Sequence, residues 1–495
     1  MPRIDGWRPY VVESDEKTTN RTMPGMMTTV AGSSARPGSF RSALAAWVTI
    51  LAGCAWMLTN GFGVLSDDES VTEATPVGRR ISAQADAAVQ MVVAMKDWTG
   101  ADAVGAGLSS MEPMRQQGTL EGLAYAIVAR WMDDPATSES AMSELIASAG
   151  DDELVRSVEA CLAQATARVG DAGSEVSPVP SGVTRESLAP LGASATLLES
   201  MATGDSALGA QVAERASRIA VAVVGFFALA FVALAGGLVA LVLVAVHASD
   251  GRARSRLAPT LLGHQAIHIE LFAAWVVYEV LLGVVASQVD LAGLGTIGVI
   301  TFQALGLLAL LWPVYRGMPW SELRRELGLT TGAGIVRETA WGVVAWCMAI
   351  PMVLVGIVIS LILGWLLGDD ISSASHPLQE GLRSSSAGGI VIWYLVAAVV
   401  APLLEEIVFR GGLYRGLRGG TSGLPLLVSM VVSALLSSLV FAAIHPQGIL
   451  FVPILGALAM SFCLVRELRG SLVAPMVGHA LNNGLIVTLN LVLFT

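Results

Sequence analysis

Charge is what this sequence has least of, and that scarcity decides its class. Charged residues make up 14% of the chain against 54% apolar ones, and the mean hydropathy is +0.65. A soluble domain carries about 25% charged residues, so this much apolar surface needs lipid as its solvent. Cysteine is nearly absent as well. Cys54, Cys347 and Cys463 lie in apolar stretches, and Cys161 stands alone in a polar region. That excludes a disulfide framework and a Cys-x-x-Cys metal site, and the four read as small buried hydrophobes. There is no HExxH zinc helix either. A basic surface is also missing. The net charge is −11, and residues 66–216 hold 23 acidic against 9 basic residues while the rest is slightly positive. This balance argues against nucleic acid as a partner.

What is present is a series of long apolar runs. A spanning helix needs about 20 apolar residues. Nine stretches approach or exceed this, at roughly 43–65, 217–247, 265–288, 293–315, 340–367, 388–409, 424–444, 449–465 and 472–494. The expected fold class is therefore all-α, a polytopic transmembrane helix bundle of about nine spans. Lys and Arg in short loops mark the cytoplasmic side. They cluster in the tail before residue 43 and then in alternate loops, at Arg252, Arg254 and Arg256; Arg316, Arg324 and Arg325; Arg415 and Arg418; Arg466 and Arg469. The pattern predicts a cytoplasmic N-terminus.

Five segments follow. Residues 1–42, rich in Ser, Thr, Pro, Gly and Arg without apolar periodicity, read as a disordered cytoplasmic tail. Residues 43–65 begin too late and run too long for a signal peptide and read as a retained anchor. Residues 66–216 form a helical, acidic, non-cytoplasmic insert. Its stretches 83–97, 118–132, 137–149 and 152–169 have helical apolar spacing, with Ser138 and Asp151 as expected caps and 170–183 as a linker. The insert reads as a decoration, with a partner-presenting or sensing domain as the alternative. Residues 217–338 are accessory membrane helices, and 339–495 are the core.

The core contains polar residues that a membrane helix tolerates only for a reason. An ionisable side chain at the centre of a span costs roughly 3 kcal/mol on insertion scales. The first group is Glu405-Glu406-Ile407-Val408-Phe409-Arg410, read as the close of an apolar helix from Ile390 to Leu404. Glu406 and Arg410, four apart, share a helical face in the favourable order. Glu405 points about 100° away and lacks that partner. A poorly solvated carboxylate of this kind makes a better base near neutral pH. The bland reading is a helix end with snorkelling charges. The second group is Phe441-Ala442-Ala443-Ile444-His445, followed by Pro446 and Gly448, where His445 alone would read as an interfacial cap. The third is His479-Ala480-Leu481-Asn482-Asn483, where His479 and Asn483 share a face and alone would read as inter-helix hydrogen bonding. Together, an acid, two imidazoles, an amide and an Arg on three of the last four apolar segments are the parts for activating water and stabilising an oxyanion.

These motifs carry a resemblance. EEIVFR at 405–410, FAAIH at 441–445 and HALNN at 479–483 match, in order and without gaps, the EExxxR, FxxxH and HxxxN/D motifs of the CPBP intramembrane proteases, also called the type II CAAX prenyl endopeptidase or ABI family. The resemblance covers roughly 340–495. It implies an intramembrane endopeptidase in which Glu405 is the principal base and His445 its partner. His479 and Asn483 would position water or the oxyanion, with Glu406 and Arg410 in support. Zinc on Glu405, His445 and His479 and a metal-free glutamate mechanism both fit the motifs. The implied partners are the lipid bilayer and a protein or peptide substrate, lipidated or not, and the implied location is a bacterial inner membrane. The sequence names no substrate, and the chain's own last residues, Leu493-Phe494-Thr495, are no prenylation signal. The alternatives are a non-catalytic scaffold or immunity-type protein of the same fold, and an ion-coupled transporter, against which the lack of a visible inverted repeat counts.

Two points stand apart. The nine-span reading sets His445 at the opposite end of its span from Glu405 and His479, unless 424–444 shifts or 446–456 dips back. His264 and His268, four apart with Glu270 nearby, have spacing that suits a metal but read first as an interfacial helix end, and Glu279 lies deeper in the same span.

Overall fold

The computed structural model describes residues 39–60, 81, 83–99, 104–149, 152–168, 178–250, 254–257, 263–286, 295–367, 387–445 and 447–494. Among them there is no β-strand. The tail reading for 1–38, the Asp151 cap and most of the 170–183 linker fall outside the described residues; 178–184 are not helical.

In chain order the main helices are α1 (Phe40–Asn60), α2 (Ala83–Thr99), α3 (Val104–Met111), α4 (Thr119–Trp131), α5 (Pro135–Ala149), α6 (Glu153–Arg168), α7 (Ala193–Thr203), α8 (Ser206–Ser249), α9 (His264–Ala286), α10 (Gly295–Leu305), α11 (Trp320–Leu327), α12 (Ile335–Leu367), α13 (Ala387–Gly420), α14 (Leu426–Ala443), α15 (Val452–Arg469) and α16 (Val473–Phe494). Among the described residues, six stretches are long and apolar enough to cross a membrane: Ser206–Ala248, His264–Val285, Ile335–Leu367, Gly388–Gly420, Leu426–Ala443 and Ile449–Arg469. Arg41–Met57 and Ile300–Tyr315 are apolar but shorter. The protein is an integral membrane protein. Phe227 and Phe231 on α8 and Leu361 and Trp365 on α12 stand exposed, an arrangement that water would penalise and acyl chains do not.

α2 to α7 and the start of α8 close around their own core, with Val89, Ile127, Val158, Cys161 and Leu198 fully buried. Burial pushes the Cys161 thiol up to about 11, so it stays an inert thiol. The four expected helical stretches correspond to α2, α4, α5 and α6. The caps are corrected. Ser138 lies inside α5 and donates from its hydroxyl to the Ala126 carbonyl. The cap is Asp134, which accepts from the Thr137 amide at 3.1 Å and the Thr137 hydroxyl at 2.7 Å. Asp152 caps α6, accepting from the Leu154 amide at 2.8 Å. No break falls at 216, because α8 runs unbroken from its Asp205 cap to Ser249.

The basic clusters of alternate loops meet at one end of the bundle. The Arg256 amide donates to the Glu467 carbonyl, Arg466 donates to the Glu326 and Leu327 carbonyls at the close of α11, Arg418 pairs with Glu467 and Arg469 with Glu338. α8 and α12 approach closely. A Cβ on Gly237 would stand 1.9 Å from the Cys347 carbonyl oxygen, so only glycine permits this crossing.

The depth conflict at His445 disappears for a structural reason. α13 does not close near Glu405 but continues to Gly420, so both acids sit near its middle. At about 1.5 Å per residue, Glu405 stands roughly 22 Å from Gly420, and the 18-residue α14 carries the chain about 27 Å back from the same turn. His445 therefore arrives level with Glu405.

Candidate active site

Pro402 shapes the helix that bears the acids. It lacks an N–H, and a helix interior accommodates it by releasing or shifting a bond. α13 does this with a π-helical turn at Val396–Val400, in which the Ala401 amide reaches back to the Val396 carbonyl. In this register the next carbonyl, Ala397, would look for a donor on residue 402 and finds proline. Asn483 of α16 supplies the donor, with Nδ2 2.9 Å from the Ala397 oxygen. A second π-helical stretch, Glu406–Leu413, follows after the α-helical turn Ala401–Glu405. π-Bulges recur at functional sites because they re-aim side chains.

The acids then diverge. Glu406 is fully buried, with Oε1 2.9 Å from Arg410 Nη1 and 2.9 Å from His479 Nδ1. Arg410 is also buried. It donates to the Ala459 carbonyl at 3.3 Å and lies over the rings of Phe441 at 4.6 Å and Phe462 at 5.4 Å. A buried charge persists only when paired and hydrogen-bonded, and here each has both. Glu405 keeps its side chain about a quarter exposed, and its Oε2 has no hydrogen-bond partner. That oxygen stands 3.7 Å from His479 Nε2 and 4.0 Å from His445 Nε2.

The imidazoles are oriented from behind. His445 Nδ1 lies 2.6 Å from the Phe441 carbonyl. A carbonyl only accepts, so Nδ1 carries the proton and the neutral ring turns an Nε2 lone pair toward Glu405. The same bond serves the orphan carbonyl of the last turn of α14, so the bland reading of His445 as a cap and its place in the site hold together. His479 gives Nδ1 to Glu406 and likewise faces Glu405 with Nε2. Its ring is stacked on Phe462 at 5.3 Å and meets Phe441 edge-on at 6.0 Å. Phe409 packs on Phe441 at 5.0 Å and extends this apolar wall.

The structure thus brings Glu405, Glu406, Arg410, His445 and His479 together. It gives Asn483 a different neighbour, the Ala397 carbonyl. Two Nε2 atoms and a carboxylate oxygen, with both Nδ1 positions held by acceptors, are a donor set of the kind zinc takes. Phe462 and the Pro402–Ala397 device carry no motif. The only signal for the latter was a proline inside an apolar run. Glu279 of α9 joins the surroundings, with its carboxylate close enough to Glu405 for their charges to interact. Glu270 does not join the nearby histidines. It pairs with Arg316 and accepts from Trp312 Nε1 at 2.9 Å.

Residues 387–485, which span all three motifs, match the family described as Type II CAAX prenyl endopeptidase Rce1-like. The chain is also similar to the membrane-embedded CAAX protease MroQ of Staphylococcus aureus (strain USA300), with 28% identity over 166 residues. That alignment takes in 32% of this chain and 62% of the relative, so the chain spans about three fifths of the length of the curated relative it matches. No solved structure matches. The match at residues 387–485 agrees with the likeness of the C-terminal motifs to the CPBP proteases.

Proposed function

We propose that the protein is an intramembrane endopeptidase that hydrolyses a peptide bond of a membrane-associated protein. The observation that carries this reading is the unpartnered Glu405 Oε2, faced at 3.7 and 4.0 Å by the Nε2 atoms of two imidazoles, one on α16 and one just past the end of α14. These gaps suit a water held between carboxylate and imidazole.

Glu405 takes the proton of that water while His445 Nε2 accepts its other hydrogen bond, and the hydroxide so formed attacks the scissile carbonyl. His479, held by Glu406 and through it by Arg410, presents Nε2 to the oxygen on which negative charge develops, donating when it carries a proton there. Glu405 returns the proton to the leaving amine. Asn483 supports the site by holding α16 to α13 beside Pro402. If a zinc ion is resident, Glu405, His445 and His479 are the residues that would hold it, and it would supply an acidified water.

The substrate reading is a protein or peptide chain lying against the bilayer, lipidated or not. The location is a bacterial inner membrane with the arginine-rich end of the bundle in the cytoplasm. The five-part organisation, with cut points at 42, 65, 216 and 338, belongs to this reading, although α1, α8 and α12 run across the first, third and fourth of these. The test compares membrane-protein termini by proteomics in cells carrying wild-type or Glu405→Gln protein at equal membrane levels. Termini lost in the variant support the reading. An unchanged set of termini, matched by an unchanged set for His445→Ala, overturns it in favour of a scaffold.

A further inference from the structure

A second polar cluster lies outside the protease motifs. His264 and His268 are one turn apart on α9, and Glu322 and Glu326 are one turn apart on α11. The two i,i+4 pairs face each other. His264 Nδ1 is 2.9 Å from Glu326 Oε1, and His268 Nε2 is 2.9 Å from Glu326 Oε2. His264, Glu322 and Glu326 each offer a ligand atom, and these atoms all lie within 4.8 Å of one another. His268 and Glu326 are fully buried, and His264 is nearly so. Glu322 stands at the edge, where it makes a loose 3.5 Å ion pair with exposed Arg325.

We propose that His264, Glu322 and Glu326 form a structural site for a divalent transition-metal ion of the zinc or manganese class, separate from the Glu405 site. The chemistry favours a cation. Two carboxylates and an imidazole on facing helices, each on an i,i+4 register, are how helical bundles build metal sites. Mixed N and O donors suit zinc and manganese rather than calcium or copper(I). A buried carboxylate is expensive unless positive charge shares its site; the buried Arg415 guanidinium supplies part of this for Glu326, and a bound cation would add to it. The ligands divide their work. Glu326 Oε1, Glu322 and His264 Nδ1 face the ion, with the His264 proton moved to Nε2. His268 Nε2–H donates to Glu326 Oε2 and fixes the carboxylate, the role that outer partners play around bound metals.

The site would fasten the short amphipathic α11 to the membrane helix α9. Eight residues make a marginal helix alone, and α11 already takes the Arg466 guanidinium on its last carbonyls. Both α9 and α11 pack against the π-helical stretch that carries Glu406 and Arg410, so the ion would stiffen the support of the protease site without taking part in chemistry.

The experiment measures bound zinc and manganese per chain in the full-length protein in detergent, by mass spectrometry of the metals after loading and desalting, together with the thermal shift each ion causes. Four variants are compared with wild type: Glu322→Gln, His264→Gln, Glu405→Gln and His445→Ala. Glu322 is at the edge of the cluster, so its amide variant keeps the fold, checked by gel filtration. The expected result is about one equivalent retained by Glu405→Gln and His445→Ala, and at least as much by wild type. Glu322→Gln and His264→Gln should weaken binding at least tenfold and lose the thermal shift. No retained ion in wild type overturns the proposal. So does retention that Glu322→Gln leaves unchanged, or that Glu405→Gln abolishes. Because the readout is metal content, failure here leaves the protease reading standing, and failure of that reading leaves this site standing.

Discussion

Asn483 donates to the Ala397 carbonyl across 2.9 Å, filling the place of the N–H that Pro402 does not have. The last motif of the chain is thereby tied to a proline three residues before the first. Asn483→Ala should leave that carbonyl unsatisfied inside the bundle, at a cost of about 1–3 kcal/mol. Pro402→Ala restores an amide in the right register and should return most of the lost thermal stability in the double variant. Recovery of stability with full cleavage assigns Asn483 to positioning alone. Recovery of stability without cleavage gives it a further role at the reacting carbonyl.

Glu405→Gln and His445→Ala should each reduce cleavage by a factor of about 10²–10⁴, the usual contribution of a positioned acid–base group. Glu405 Oε2 has no hydrogen-bond partner to lose, so Glu405→Gln should barely move the melting temperature, whereas His445→Ala also strands the Phe441 carbonyl and should lower it by the cost of one lost bond. Single-turnover cleavage of a reconstituted substrate, read beside a thermal melt, separates the two effects.

Arg410→Leu should behave in the opposite way. It strands Glu406 as a buried charge with only His479 beside it, and breaking such a pair costs about 3–5 kcal/mol. Membrane yield and melting temperature should both fall. A variant as stable as wild type would show that Glu406 does not need the guanidinium.

Gly237→Val places a branched side chain where even a Cβ meets the Cys347 carbonyl oxygen at 1.9 Å. α8 and α12 should part, and the detergent-solubilised protein should lose several degrees of melting temperature. Gly225, with nothing within 4 Å of an added Cβ, is the control that should tolerate alanine.

Asp134 caps α5, and its two bonds from Thr137 hold its carboxyl below the usual aspartate range. Its contribution is therefore complete above that range and is lost as pH falls through the lowered value. Amide exchange across 135–149 in the full-length protein should accelerate on acidification. Asp134→Ala, which removes a cap worth about 1 kcal/mol, should show the fast rate at neutral pH as well.

Much of this was legible in the residues themselves. The scarcity of charge required lipid, and the length of the apolar runs required helices. The Glu406–Arg410 spacing paired those two side chains whatever surrounded them, because four residues is one helical turn. The alternation of arginine clusters anticipated that they gather at one end, since chain direction reverses at each span. What the sequence could not decide were relations between segments. Where α13 ends set the depth of Glu405, and local patterning marked the two acids as an end because charge normally closes a span. Glu270 looked like the companion of His264 and His268 by proximity in sequence, whereas Glu326, far along the chain, takes that place through the packing of α11 on α9. The family resemblance implied that Asn483 positions water or the oxyanion; its side chain instead makes the inter-helix hydrogen bond that its own segment suggested, to a carbonyl that Pro402 leaves free on another helix. Periodicity and composition act within a segment, and the sequence settled those. A hydrogen-bond vacancy is filled by whatever the fold brings near, and only the tertiary structure decided that.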